Sequence, residues 1–131
     1  MSEIRAVADA RFLLDSNIGI YILQGNAPAA AARLQASELG SVVTSSICLS
    51  EMLIGLRAAE QRALESLLEQ IAVMPFDDTA AHRYAALPFK RRGFDRLIAA
   101  HALALDLTVV TANVVDFADV PDLRVENWMV A

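Results

Sequence analysis

Apolar positions along this chain follow two alternating rhythms. Short runs of β-forming residues at 12–14, 41–44, 73–76, 107–111 and 124–128 are separated by stretches whose apolar residues recur every three to four positions. The first pattern belongs to strands and the second to helices packed on one face. Repeated strand–helix units predict an α/β fold with a largely parallel sheet covered on both faces. Ser16 is suited to cap a helix over 18–23 that Gly25-Asn26 ends, and Pro28 fits the first turn of an Ala-rich helix running to residue 39, before Gly40. Ser45 or Ser46 caps the next helix, where Ile47, Met52, Leu53 and Leu56 supply apolar contacts and which also carries Glu51. A helix over 61–70 leads into 73–76, where Pro75 predicts an edge strand. Thr79 opens a helix that Pro88 ends. After Gly93, a helix over 94–106 places Leu97, Ile98, His101 and Leu105 against the sheet, with Asp95 in its first turn.

A chain of 131 residues fits one domain with a substantial core. The domain is set at 11–131, and residues 1–10 form an N-terminal extension without an assignment. Hydrophobic residues make up 56% of the chain and the mean hydropathy is +0.41. Charges nevertheless interrupt every apolar stretch short of the roughly 18 residues that mark a membrane span, so the surplus suggests apolar surface kept for a partner. Glu3, Arg5 and Asp9 break up the N-terminus, no secretory signal is visible, and a cytoplasmic location is the expectation. The single cysteine, Cys48, rules out an intrachain disulfide and a cysteine-rich zinc site, and its apolar neighbours point to a buried thiol. His82 and His101 share no ligand spacing and are expected to be packed or surface residues.

Net charge is −5 and the pI about 4.9. The surface as a whole does not attract a polyanion, so any nucleic-acid contact is local. The basic run Lys90-Arg91-Arg92, with Arg96 beside Asp95, is either a solvated, charge-balancing approach to a helix or a set of phosphate contacts.

Four acids carry the candidate chemistry: Asp15 after Phe12-Leu13-Leu14, Glu51 within 46–51, Asp95 before Leu97-Ile98-Ala99-Ala100, and Asp116 after Thr111-Ala112-Asn113. Each adjoins apolar sequence, where an ionised carboxylate is costly unless something compensates it, so a shared cation is implied. Asp15 and the segment after Thr111 belong at the carboxyl ends of strands, where ligands collect in open parallel sheets. Magnesium suits a loose all-oxygen cluster better than zinc, and manganese can take its place. Such ions assist phosphodiester hydrolysis without a side-chain nucleophile. Asp77, Asp78, Asp119 and Asp122 lie in polar or Pro-flanked turns and are left out of the site.

Leu14-Asp15-Ser16-Asn17, Ser50-Glu51, the stretch Phe94-Asp95-Arg96-Leu97-Ile98-Ala99-Ala100-His101-Ala102 and the stretch from Val110 to Phe117 together resemble PIN-domain ribonucleases, in particular VapC toxins of type II toxin–antitoxin systems. The resemblance implies a PIN-like three-layer α/β/α domain and a magnesium-dependent endoribonuclease. It places the metal and catalytic acids at Asp15, Glu51, Asp95 and Asp116. Asn17, Thr111 and Asn113 fall beside that centre, Ser16 could also hydrogen-bond there, and Arg91, Arg92 and Arg96 are candidate substrate contacts. Implied partners are an RNA of the tRNA or rRNA class, a second copy of the chain in a homodimer, and a cognate VapB antitoxin in a hetero-oligomer.

Two other readings compete. An aspartate-phosphorylating protein also places an acid after its first strand, but Asn17 stands where a phosphatase needs a second acid, and Lys90 does not follow a strand as a receiver's lysine would. A catalytically inactive PIN-fold binding or scaffold domain keeps the architecture without the chemistry.

Overall fold

Neighbouring positions on a strand face opposite ways, so a sheet buried on both faces must feed two separate cores. In the computed structural model, which describes residues 9–88 and 93–130, the strands do this. Leu13, Val43 and Val109 enter one apolar cluster, and Leu14, Val42 and Val110 enter the other. The result is a three-layer α/β/α sandwich.

Strand β1 (Phe12–Leu14) leads through α1 (Ser16–Leu23) and α2 (Pro28–Ala36) to β2 (Val42–Ser45). Helix α3 (Ser46–Ile54), a 3₁₀ turn (Ala58–Glu60) and α4 (Gln61–Gln70) follow, then β3 (Ala72–Met74). Helices α5 (Asp78–Ala85) and α6 (Phe94–Leu105) precede β4 (Thr108–Val110), and a second 3₁₀ turn (Val114–Phe117) leads to β5 (Val125–Glu126). The sheet order is β3-β2-β1-β4-β5 with every pair parallel. One core takes Ile18 and Leu23 from α1, Leu34 from α2 and Leu64 and Leu67 from α4, while the other takes Ile98, Ala99 and Ala102 from α6. Helix α3 serves both, with Met52 in the first and Cys48 in the second.

The edge position of β3 and the bounds of α4 agree with the sequence reading, although β3 runs over Ala72–Met74 rather than 73–76, so Pro75 lies just past it. Several details differ. Helix α2 stops at Ala36, where Ser37 turns extended and its hydroxyl closes on the carbonyl of Arg33 at 2.8 Å. Asp15, not Ser16, is the cap residue of α1. On α3, Leu53 is exposed rather than packed, as is its neighbour Ile54, and Leu105 at the end of α6 is also exposed. The expected closing strand at 124–128 pairs only over Val125–Glu126, although Trp128 is buried edge-on to Phe12. His101 is a packed histidine: its Nδ1 lies 2.8 Å from Ser45 Oγ, its ring meets Phe76 edge-on, and burial lowers its pKa from the usual value. Among the described residues, no helix is long and apolar enough to cross a membrane.

Candidate active site

Strand register performs the first step of assembly. Leu14 is level with Thr44 on one side and Val110 on the other. The next residue along each strand, Asp15, Ser45 and Thr111, therefore emerges at the same edge of the sheet. After β1 the chain turns away to build β2 and β3, and it returns on the other side of β1 as β4. The carboxyl ends of β1 and β4 are thus the switch point of this sheet, the usual place for a ligand in open α/β folds.

Thr111 uses its hydroxyl three ways. It donates to Asp15 Oδ2 at 2.8 Å and accepts from the Asn113 amide at 3.0 Å and from Asn17 Nδ2 at 3.3 Å. Asn17 Oδ1 accepts from the Ala112 amide at 3.2 Å, so the start of α1 is stitched to the end of β4. Asn113 takes part through its backbone. Ser16 links two acids: its amide donates to Asp15 Oδ1 and its hydroxyl donates to Glu51 Oε1, both at 2.8 Å. Helices α1 and α3 approach closely here: a Cβ at Gly19 would lie 2.5 Å from Met52 Sδ.

Asp15 is 2% exposed, and its pKa is raised from 3.8 to about 6. Burial is the main cause, opposed by the hydrogen bonds from Thr111 and Ser16 and reinforced by the negative charges of Asp95 and Glu51. The structure thus brings two of the other sequence-predicted acids, Glu51 and Asp95, within electrostatic reach of Asp15. The fourth, Asp116, is exposed on the 3₁₀ turn three residues after Asn113 and is not among the charges that act on Asp15. Cys48 lies beneath the site with its thiol pushed up to about 12, chiefly by burial and then by Asp15. A nucleophilic thiolate is excluded there.

Among the described residues, no three Asp, Glu, His or Cys side chains close together tightly enough to hold an ion directly. The acids do not form a four-carboxylate cage. The donor set nevertheless fits a hydrated hard cation, because every candidate donor is a carboxylate oxygen and magnesium binds through one or two carboxylates while keeping several waters. A carboxylate buried among negative neighbours gains from such a charge.

Arg96 does not stand on the surface. It is 2% exposed and paired with Asp119, which makes it a poor phosphate contact and gives a role to an acid that sequence reasoning set aside. The partners are 23 residues apart, and nothing local signals the pairing. Gly19 was also missed, although a glycine inside a helical run is itself a sign of close packing. Lys90, Arg91 and Arg92 lie outside the described residues.

A buried acid thus sits at the switch point, with two further acids on flanking helices and a Thr-x-Asn segment at the same edge. Residues 12–123 match the PIN domain family. The chain belongs to that family, and within it groups with the VapC nucleases. It is 30% identical over 130 residues to the tRNA(fMet)-specific endonuclease VapC of Shigella flexneri, covering 90% of this chain and 98% of that protein. It is 28% identical to Ribonuclease VapC2 of Rickettsia felis, covering 89% and 97%. Similar solved structures include VapBC2 from Rickettsia felis bound to a promoter DNA fragment, with a TM-score of 0.78 at 26% identity, covering 89% of this chain and 98% of that one. DNA-bound VapBC from Salmonella typhimurium superposes with a TM-score of 0.79 at 26% identity, covering 91% and 98%.

Proposed function

We propose that this chain is the endoribonuclease toxin of a type II toxin–antitoxin system, using a magnesium-dependent acidic centre and neutralised by a cognate VapB antitoxin. The observation that carries this reading is Asp15: buried, raised to about 6, and acted on by two further acids at the switch point of a PIN fold. Asp15, Glu51, Asp95 and Asp116 would hold Mg2+, with Mn2+ able to substitute. When bound, such an ion neutralises phosphodiester charge, lowers the pKa of an attacking water and stabilises the leaving oxygen.

The chain's own residues prepare the centre. Thr111 and the Ser16 amide hold the two oxygens of Asp15 in a fixed orientation and favour its ionised form. Ser16 also fixes the rotamer of Glu51. Asn17 keeps the Thr111 segment in place so that the carboxylate and the strand end move as one. An acidic protein can act on an acidic polymer because a bound cation reverses the local field.

The substrate class is tRNA or rRNA, supported by the tRNA(fMet)-specific name of the Shigella flexneri relative. The VapB partner is supported by the VapBC complexes among similar structures and by the exposed Leu53 and Ile54 on α3, which a partner segment would cover. The functional assembly is a homodimer that joins its antitoxin in a hetero-oligomer. The test is incubation of the purified, antitoxin-free chain with tRNA and rRNA in magnesium. Cleavage that stops with chelator and is lost in Asp15→Asn and Asp95→Asn supports the reading. Absence of cleavage across both RNA classes would leave a PIN-fold scaffold.

A further inference from the structure

The first turn of α6 carries adjacent opposite charges with different surroundings. Asp95 is exposed, whereas the Arg96 side chain is 3% exposed. The guanidinium fork meets Asp119 at two points: Nη2 donates a hydrogen bond to Oδ2 at 2.9 Å, and Nη1 makes an ion-pair contact with Oδ1 at 2.8 Å. A planar group held at two points is fixed in orientation as well as distance, which a lysine ammonium cannot reproduce. Asp119 lies three residues beyond Asp116, so the fork joins the segment bearing one candidate ligand to the turn bearing another.

The Asp116 segment has anchors on either side. At its start the Asn113 amide donates to Thr111 Oγ1, the same hydroxyl that binds Asp15. At its end Asp119 meets Arg96. Between and after these points, Phe117 and Val120 are buried in the core with Ile98 and Ala99. The apolar contacts hold the segment to α6, and the Arg96–Asp119 pair adds a polar tie at its end. An apolar residue at position 96 would fill the same space without the desolvation that a buried guanidinium costs, so bare stability is a weak reason for an arginine there.

We infer that Arg96 is a positioning residue: through its fork to Asp119 it holds Asp116 level with Asp95, so that both acids serve one divalent ion. The inference rests on the nuclease reading above. Partners that orient metal ligands in this indirect way commonly change affinity about 10- to 100-fold when lost.

The test is Mn2+ binding by electron paramagnetic resonance in the absence of RNA, with thermal unfolding recorded for every variant. Arg96→Met and Asp119→Asn are each expected to weaken Mn2+ binding about tenfold. Added to Asp116→Asn, either change should cause no further loss, because the effect passes through Asp116. Arg96→Lys keeps charge and most of the volume but loses the fork, so it should also bind weakly, and it carries the test if Arg96→Met does not fold. Wild-type affinity in Arg96→Lys and Asp119→Asn, or losses that add to that of Asp116→Asn, would overturn the positioning role alone. A wild-type chain that takes up no Mn2+ would remove the nuclease reading and this inference together.

Discussion

Replacing Asp15 by asparagine should stabilise the metal-free protein at neutral pH. Burial raises the Asp15 pKa from 3.8 to about 6, so between these values the folded chain holds a proton that the unfolded chain has released. Stability from this group is complete below pH 3.8 and is lost as pH rises through about 6. At about 1.4 kcal/mol per pH unit, the interval amounts to about 3 kcal/mol withdrawn at pH 7.5. Asparagine carries no charge and escapes that cost. Its amide would face Thr111 Oγ1, which already accepts from Asn17 and Asn113, and would leave the Thr111 proton without its acceptor. That mismatch costs about 1 kcal/mol. The net expectation is a gain of about 2 kcal/mol at pH 7.5 and a deficit of about 1 kcal/mol at pH 4, where the wild-type carboxyl is largely protonated. Urea unfolding of both proteins in excess chelator at the two pH values measures the difference directly, and titration of other groups cancels. A variant less stable than wild type at pH 7.5, or a difference that does not change with pH, would refute the electrostatic reasoning.

Three further outcomes follow from the same geometry. Thr111→Val removes a hydrogen bond that lowers the Asp15 pKa, so the acidic limb of the RNA-cleavage rate should move to higher pH, and an unmoved limb would contradict it. Ser16→Ala frees Glu51 and should lower stability by about 1 kcal/mol in urea and cleavage by about tenfold, with full activity counting against the Ser16–Glu51 link. Cys48, with its thiol near 12, should resist iodoacetamide at pH 8 when folded and react once unfolded in urea, as followed by mass spectrometry.

Much of the framework was legible because it rests on local periodicity. Phe12-Leu13-Leu14 and the 61–70 helix show their burial through spacing alone, and Pro75 signals an edge. Asp15 and Asp95 stand out in the sequence as candidates because they sit at the junctions of apolar elements. What sequence could not supply was register. That Leu14 is level with Val110, and so Asp15 with Thr111, depends on pairing between strands almost a hundred residues apart. The same holds for Arg96, whose sequence neighbours suggest a surface cation while its partner Asp119 lies across the fold. Leu53 failed in the opposite sense: its helical spacing suits a core face, but α3 ends beside open surface, where periodicity cannot tell a core contact from a residue left for a partner. Asp116 is intermediate, its segment placed by Thr111 and Phe117 while the carboxylate itself faces solvent.

Crystals of the chain soaked in manganese and measured at the manganese absorption edge test the convergence of the acids most directly. The expected result is an anomalous peak about 2 Å from a carboxylate oxygen of Asp15, with Glu51, Asp95 and Asp116 reaching it directly or through water. A well-occupied peak elsewhere, with the Asp15 carboxylate left uncoordinated, would contradict a shared divalent ion at the end of the first strand.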